Sequence, residues 1–167
     1  MKLITGAALR AFASDHIAGY LPSLVGVTEV DIRVGESIRI YPSTLQKDTV
    51  DLTATTSDLL FITKPILESG VYLKPREFIL LQSHEFFTMP SHVQGMLTLR
   101  SWAAKSGLSQ TASLILKPNW KGNLILELTN DLSLVTLVIK KGLPIAQTQF
   151  YDISEDLELG NYTETQW

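Results

Sequence analysis

A single carboxylate interrupts the apolar run Asn123-Leu124-Ile125-Leu126-Glu127-Leu128-Thr129. An unpaired carboxylate is expensive to bury, and burial drives its pKa upward. Glu127 therefore reads in one of two ways. Either its face is solvated or shared with a Lys or Arg, or the residue is a general base or ligand contact whose pKa is set by its surroundings. Arg100 and Ser101 form a second candidate, at the end of an apolar run over 95–99 and the start of a helical stretch over 101–106. Amides at a helix N-terminus favour an anion, and a guanidinium offers a bidentate fork to phosphate. The plainer reading is a helix cap beside a surface arginine. Lys105 adds a point charge to this cluster or simply faces solvent.

Other chemistries lack their residues. His16, His84 and His92 are scattered, form no HxH or HExxH pattern, and are accompanied by no cysteine. No metal-ligating residue is predicted, and no zinc: neither a structural site nor the one-His, two-Cys arrangement of zinc deaminases can be built. Gly26, Gly35, Gly95, Gly107 and Gly122 fit neither a dinucleotide-binding nor a P-loop spacing, and there is no G-x-S-x-G elbow.

A net charge of −3, from 14 basic and 17 acidic residues with no basic cluster longer than Lys140-Lys141, argues against a nucleic acid polymer as partner. No apolar run is long enough to cross a membrane, and Asp15 and His16 break what would be the core of a signal peptide. The absence of cysteine fits a reducing compartment. The expectation is a soluble, unprocessed, cytoplasmic protein that makes no membrane contact.

These residues need a scaffold, and the hydropathy pattern indicates one built mainly of strands. Residues 3–13 carry helical spacing with Thr5 as N-cap. Alternation over 29–35 and 36–41 predicts strand, with a turn or bulge at Val34-Gly35-Glu36. A loop rich in Thr, Asp and Ser, with or without a short strand crossing it, is expected over 48–58. Short strands are predicted at 61–65, 70–73, 78–83 and 95–99, punctuated by Pro65, Gly70, Pro75 and Pro90. A short helix over 101–106 would be capped by Ser101 and ended by Gly107. Residues 123–129 form the sharpest strand, with Leu124, Leu126 and Leu128 on one face and Ile125, Glu127 and Thr129 on the other. Strands over 134–139 and 145–151 follow. Many short strands at close spacing make the fold class all-β, a distorted barrel or jelly roll. At 167 residues, one domain over 1–153 with an arm or tail of the same domain over 154–167 is the simplest division.

Taken in order, four segments resemble the dCTP deaminase family within the dUTPase-like superfamily. They are Val30-Asp31-Ile32-Arg33-Val34-Gly35, Leu99-Arg100-Ser101 with Gly107-Leu108, the stretch from Pro118-Asn119-Trp120 through Glu127 to Asn130, and Gly142-Leu143-Pro144-Ile145-Ala146-Gln147. Gly160-Asn161-Tyr162 is similar to the family's tail motif, and Gln166 to a nearby nucleotide-contacting glutamine. The resemblance implies a homotrimer with sites at subunit boundaries. It also implies metal-independent hydrolytic deamination of dCTP to dUTP and ammonia, with Glu127 activating the water. Catalytic roles would fall to Glu127, Ser101 and Arg100. Nucleotide binding would fall to Arg100, Ser101, Lys105, Thr111, Ala112, Gln147, Tyr162 and Gln166. Magnesium would accompany the triphosphate, and the C-terminal arm would close over it.

The chain also departs from the family pattern. Trp102 stands where a second serine is usual and could obstruct the pocket. Lys105 replaces an arginine, Lys117 an aspartate, and no histidine precedes Thr111-Ala112. The alternatives are therefore a diverged noncatalytic or regulatory nucleotide-binding relative, or a dUTPase or combined deaminase-diphosphatase. Against a dUTPase, residues 109–117 supply neither the aspartate nor the aromatic of a uridine-binding hairpin.

Overall fold

The computed structural model describes residues 1–42, 49–51, 53, 60–111 and 115–157. The chain opens with β1 (Lys2–Leu3), α1 (Gly6–His16), β2 (Ile17–Ala18) and a 3-10 turn at Pro22–Leu24. Strands β3 (Val30–Ile40), β4 (Ile62–Pro65), β5 (Val71–Leu73), β6 (Phe78–Thr88) and β7 (Val93–Leu99) follow. After α2 (Ser101–Lys105) come β8 (Leu108–Gln110), β9 (Ile115–Leu116), β10 (Lys121–Asn130), β11 (Leu137–Ile139), β12 (Pro144–Asp152) and α3 (Ser154–Leu157). The fold is all-β, as the hydropathy pattern requires. Most of the loop expected over 48–58 lies outside the described residues.

The pairings are antiparallel, and seven strands run in the order β8-β10-β6-β3-β12-β7-β9. Laid flat, such a path would separate its outer strands by about 29 Å at the usual interstrand spacing. Yet β8 and β9 are consecutive in the chain, joined only by residues 111–114, a connection that reaches at most about 17 Å when fully extended. The sheet must therefore curl, and it forms a half-barrel whose edges β8/β10 and β7/β9 approach each other across an open seam. Neither edge strand stands out in the sequence, because each is very short and pairs with a distant partner: β8 with Leu128–Asn130, β9 with Gly95 and Met96.

The inside of the curl follows the period-two pattern. Val30, Ile32 and Val34 from β3 are buried together with Leu124, Leu126 and Leu128 from β10 and Ile145 and Phe150 from β12. Helix α1 closes one end through Leu9, Phe12 and Ala13. It begins after Thr5, which holds the expected N-cap position with extended backbone but makes no side-chain capping bond, and it starts at Gly6 and not Leu3 because Lys2 and Leu3 pair with Asp152 and Tyr151. Phe12 packs on Phe150 with ring centroids 4.5 Å apart, Phe150 on Phe87 at 6.4 Å, and Phe87 on Trp120 at 6.5 Å. An aromatic chain thus links α1 to the wall of the seam.

The expected irregularity at Val34-Gly35-Glu36 is a bulge: β3 stays continuous while its register against β6 shifts between Val34 and Ile38. The cap of α2 differs from expectation. Arg100, not Ser101, is the N-cap, with extended backbone (φ −66°, ψ 141°), because its amide is still tied to the sheet through the Ile145 carbonyl at 2.8 Å. Gly107 ends this helix at φ 85°, where an added Cβ would lie 2.5 Å from Leu132 Cγ. The tail expected from residue 154 begins as the single turn α3. Among the described residues no helix is long and apolar enough to cross a membrane.

Candidate functional site

At the seam of the half-barrel lies a cleft of about 380 Å³. It is lined by Leu97 on β7, Ile115 on β9, and Asn123, Leu124, Ile125 and Glu127 on β10, with Lys117 and Trp120 from the segment between β9 and β10. Glu127 is half-buried on the face of β10 opposite Leu124, Leu126 and Leu128. Alternation along one strand thus sets Leu126 and Leu128 apart from the carboxylate, while Leu124, further along the strand, also lines the cleft. Its backbone carbonyl accepts the Thr111 amide at 2.8 Å, which brings that predicted residue beside it. Among the described residues no hydrogen bond or ion pair reaches the Glu127 carboxylate, so Lys117 shares the cleft without pairing to it. A half-buried carboxylate in a largely apolar cleft can take a proton from a bound water, or accept a hydrogen bond from a ligand.

The strand carrying Glu127 is anchored by a bulge. Pairing between β10 and β6 jumps from Asn123↔Phe86 to Ile125↔Gln82, leaving Ser83, His84 and Glu85 opposite Leu124. The Asn123 amide donates to the Ser83 and Glu85 carbonyls at 3.2 and 3.0 Å, and Ser83 Oγ accepts the Leu124 amide at 2.8 Å. These bonds satisfy the backbone groups that the bulge would otherwise strand. The Glu85 side chain turns inward and meets Arg33, whose Nε donates to Oε1 at 2.7 Å and whose amide donates to Oε2 at 2.8 Å.

The other predicted residues lie elsewhere in the chain. Arg100 Nη1 donates to Asp31 Oδ2 at 2.8 Å, and both side chains are half-buried. Burial raises the Asp31 carboxyl above its ordinary value, Arg100 pulls it down, and Glu29 and Glu85 push it up. Gln147 is half-buried and is the cross-strand neighbour of both Asp31 and Thr98. Ser101 and Lys105 are exposed at the two ends of α2. None of Arg100, Ser101 or Lys105 lines the Glu127 cleft of its own chain. Nor does Trp102, which lines a separate apolar cavity of about 170 Å³ with Leu108, Ile139 and Ile145. Ala112, Tyr162 and Gln166 lie outside the described residues.

Reasoning from sequence missed three groups. Asn123 and Trp120 line the cleft, and Asp31 holds Arg100. The detectable signal for Asp31 was its outward position in an alternating strand; Arg100 was legible by itself, but nothing local linked it to a residue 69 positions away. Among the described residues no group of three or more His, Cys, Asp or Glu could hold a metal ion.

The architecture is that of a solved nucleotide deaminase. The 2'-deoxycytidine 5'-triphosphate deaminase from Agrobacterium tumefaciens superposes with a TM-score of 0.70 at 17% identity, covering 89% of this chain and 48% of that one. The chain thus spans about half the length of that protein. It belongs to the dCTP deaminase-like family, whose profile matches residues 4–153. A dCTP deaminase of Pyrobaculum calidifontis is 30% identical over 122 residues, covering 73% of this chain and 66% of the relative. A Nocardioides protein named dCTP deaminase, dUMP-forming, is 28% identical over 142 residues, covering 83% of this chain and 72% of the relative.

Proposed function

We propose that the protein hydrolyses the exocyclic amine of dCTP, giving dUTP and ammonia, with Glu127 as general base. The observation that carries this reading is the Glu127 carboxylate, which lines the seam cleft with no partner among the described residues, in a chain of the dCTP deaminase-like family. A water held between Glu127 and cytosine C4 gives up a proton to the carboxylate as its oxygen attacks C4. That proton then passes to the departing amine, which leaves as ammonia, while the second water proton moves to N3 and C4 keeps the new oxygen as the uracil carbonyl. Apolar neighbours such as Ile115, Ile125 and Trp120 lower the local dielectric and strengthen these contacts.

The reading includes a homotrimer acting in the cytoplasm. Arg100, Ser101 and Lys105 do not line the Glu127 cleft of their own chain, which supports a site completed by α2 of a neighbouring subunit. There Arg100 and Ser101 would hold the phosphates and Lys105 would add charge. Thr111, Ala112 and Gln147 would contact the nucleoside, and Tyr162 and Gln166 of the arm over 154–167 would cover it. Removing residues 158–167 tests that last assignment through the KM for dCTP.

Two specific observations favour alternatives. Lys117 lines the cleft where the family pattern has aspartate, which favours a noncatalytic or regulatory nucleotide binder. The name of the Nocardioides relative favours a combined activity ending in dUMP. Incubation with dCTP and magnesium, followed for ammonia and pyrophosphate, separates all three. Ammonia alone with dUTP supports deamination, ammonia with pyrophosphate and dUMP supports the combined activity, and neither product supports a binder.

A further inference from the structure

We propose that Asp31 is a positioning residue for Arg100: its carboxylate fixes the guanidinium across the sheet so that the remaining N–H groups face a polyphosphate. The inference rests on the reading of Arg100 as a phosphate contact. Asp31 stands on the outward face of β3 between buried Val30 and Ile32, and its backbone is fixed by the pairing with Gln147. Arg100 follows the last residue of β7 and begins α2, so its own backbone is anchored by the amide bond to Ile145.

Among the described residues, the side-chain hydrogen bond joining these two elements is Nη1 to Oδ2 at 2.8 Å. One guanidinium nitrogen is engaged, and among the described residues Nε and Nη2 have no partner. An arginine side chain left to itself samples many rotamers, and holding one corner against a carboxylate removes most of that freedom before a ligand arrives. With that corner fixed, the unpaired N–H pair forms a fork suited to two phosphate oxygens. The exposures of the two side chains, 34% for Arg100 and 15% for Asp31, fit this division: the carboxylate is the sheltered anchor and the guanidinium the accessible head. The raised carboxyl of Asp31 agrees with an anchor held in place against a desolvation cost.

The test uses the full chain with magnesium and two probes, dCTP turnover and calorimetric binding of inorganic tripolyphosphate. Asp31→Asn is expected to raise the KM for dCTP and the Kd for tripolyphosphate about tenfold each with little change in kcat, because the contact acts on ground state and transition state alike. Asp31→Glu, which keeps the charge but moves it by one methylene, is expected to lose less, and it provides the reading should Asp31→Asn not fold. In an Arg100→Ala background both Asp31 changes are expected to have less than about a twofold effect, because the path runs through Arg100. Equal effects of the Asp31 changes with and without Arg100, or an unchanged Kd in Asp31→Asn while Arg100→Ala weakens binding, would overturn the proposal. Coupled losses in tripolyphosphate binding without any release of ammonia would uphold it while rejecting deamination. Full indifference of tripolyphosphate binding to Arg100→Ala would reject the phosphate role of Arg100 and this proposal together.

Discussion

Arg33 and Glu85 form an interior ion pair in which Glu85 receives both the Arg33 guanidinium at 2.7 Å and the Arg33 backbone amide at 2.8 Å. Arg33 also donates to the Gly19 carbonyl, which ties the segment after α1 to β3 and β6. Their side-chain exposures of 13% and 1% mean that removing either partner leaves a charge in the interior. Glu85→Ala or Arg33→Ala should each destabilise the protein by about 3–5 kcal/mol, read from urea unfolding. An apolar double replacement, Arg33→Met with Glu85→Leu, should recover much of that loss. Single variants within about 1 kcal/mol of the parent would show that the pair is not a structural tie.

Gly35 lies where β3 crosses the irregular part of β6, and a Cβ there would sit 2.7 Å from the carbonyl oxygens of both Gln82 and Ser83. Backbone on both sides leaves no flexible atom to yield. Gly35→Ala should therefore cost about 1–3 kcal/mol, seen as a lower urea midpoint at unchanged slope. An unshifted midpoint would contradict the close approach.

Stability should depend on pH through Asp31, whose carboxyl burial raises above the usual value, with Arg100 opposing. Between about 3.9, the value in the unfolded chain, and its higher folded value, the native state holds more of this proton. The stabilisation is thus full below that window and is lost as pH rises through the folded pKa. Asp31→Asn cannot ionise, so the parent's stability relative to this variant should fall as pH is raised from about 4 to about 7. A relative stability that climbs over the same range would mean that the pairing with Arg100 outweighs burial.

Local pattern located much of this architecture, and chain-distant pairing accounts for what it left out. Leu124, Leu126 and Leu128 place Glu127 on the other face by alternation alone, and Thr5 and Gly107 mark helix ends through rules that act within a few residues. The strand expected to stop at Ser83 runs on to Thr88 because Glu85, which reads locally as a solvent-seeking residue, is neutralised by Arg33, 52 residues away. β9 has only Ile115 and Leu116 to declare it, yet together with β8 it forces the curl that creates the seam. Glu127 was thus legible as a candidate, whereas its cleft partners Asn123 and Trp120 became visible only with the bulge and the closure of the sheet.

The most direct test of the Glu127 assignment compares ammonia release from dCTP by the parent protein and by Glu127→Gln, both checked for intact fold and assembly. Turnover by the parent and a loss of about 10²-fold or more in kcat, with dCTP binding retained, is the predicted result, because glutamine keeps the shape and removes the base. Equal turnover by the two proteins would contradict the role given to Glu127.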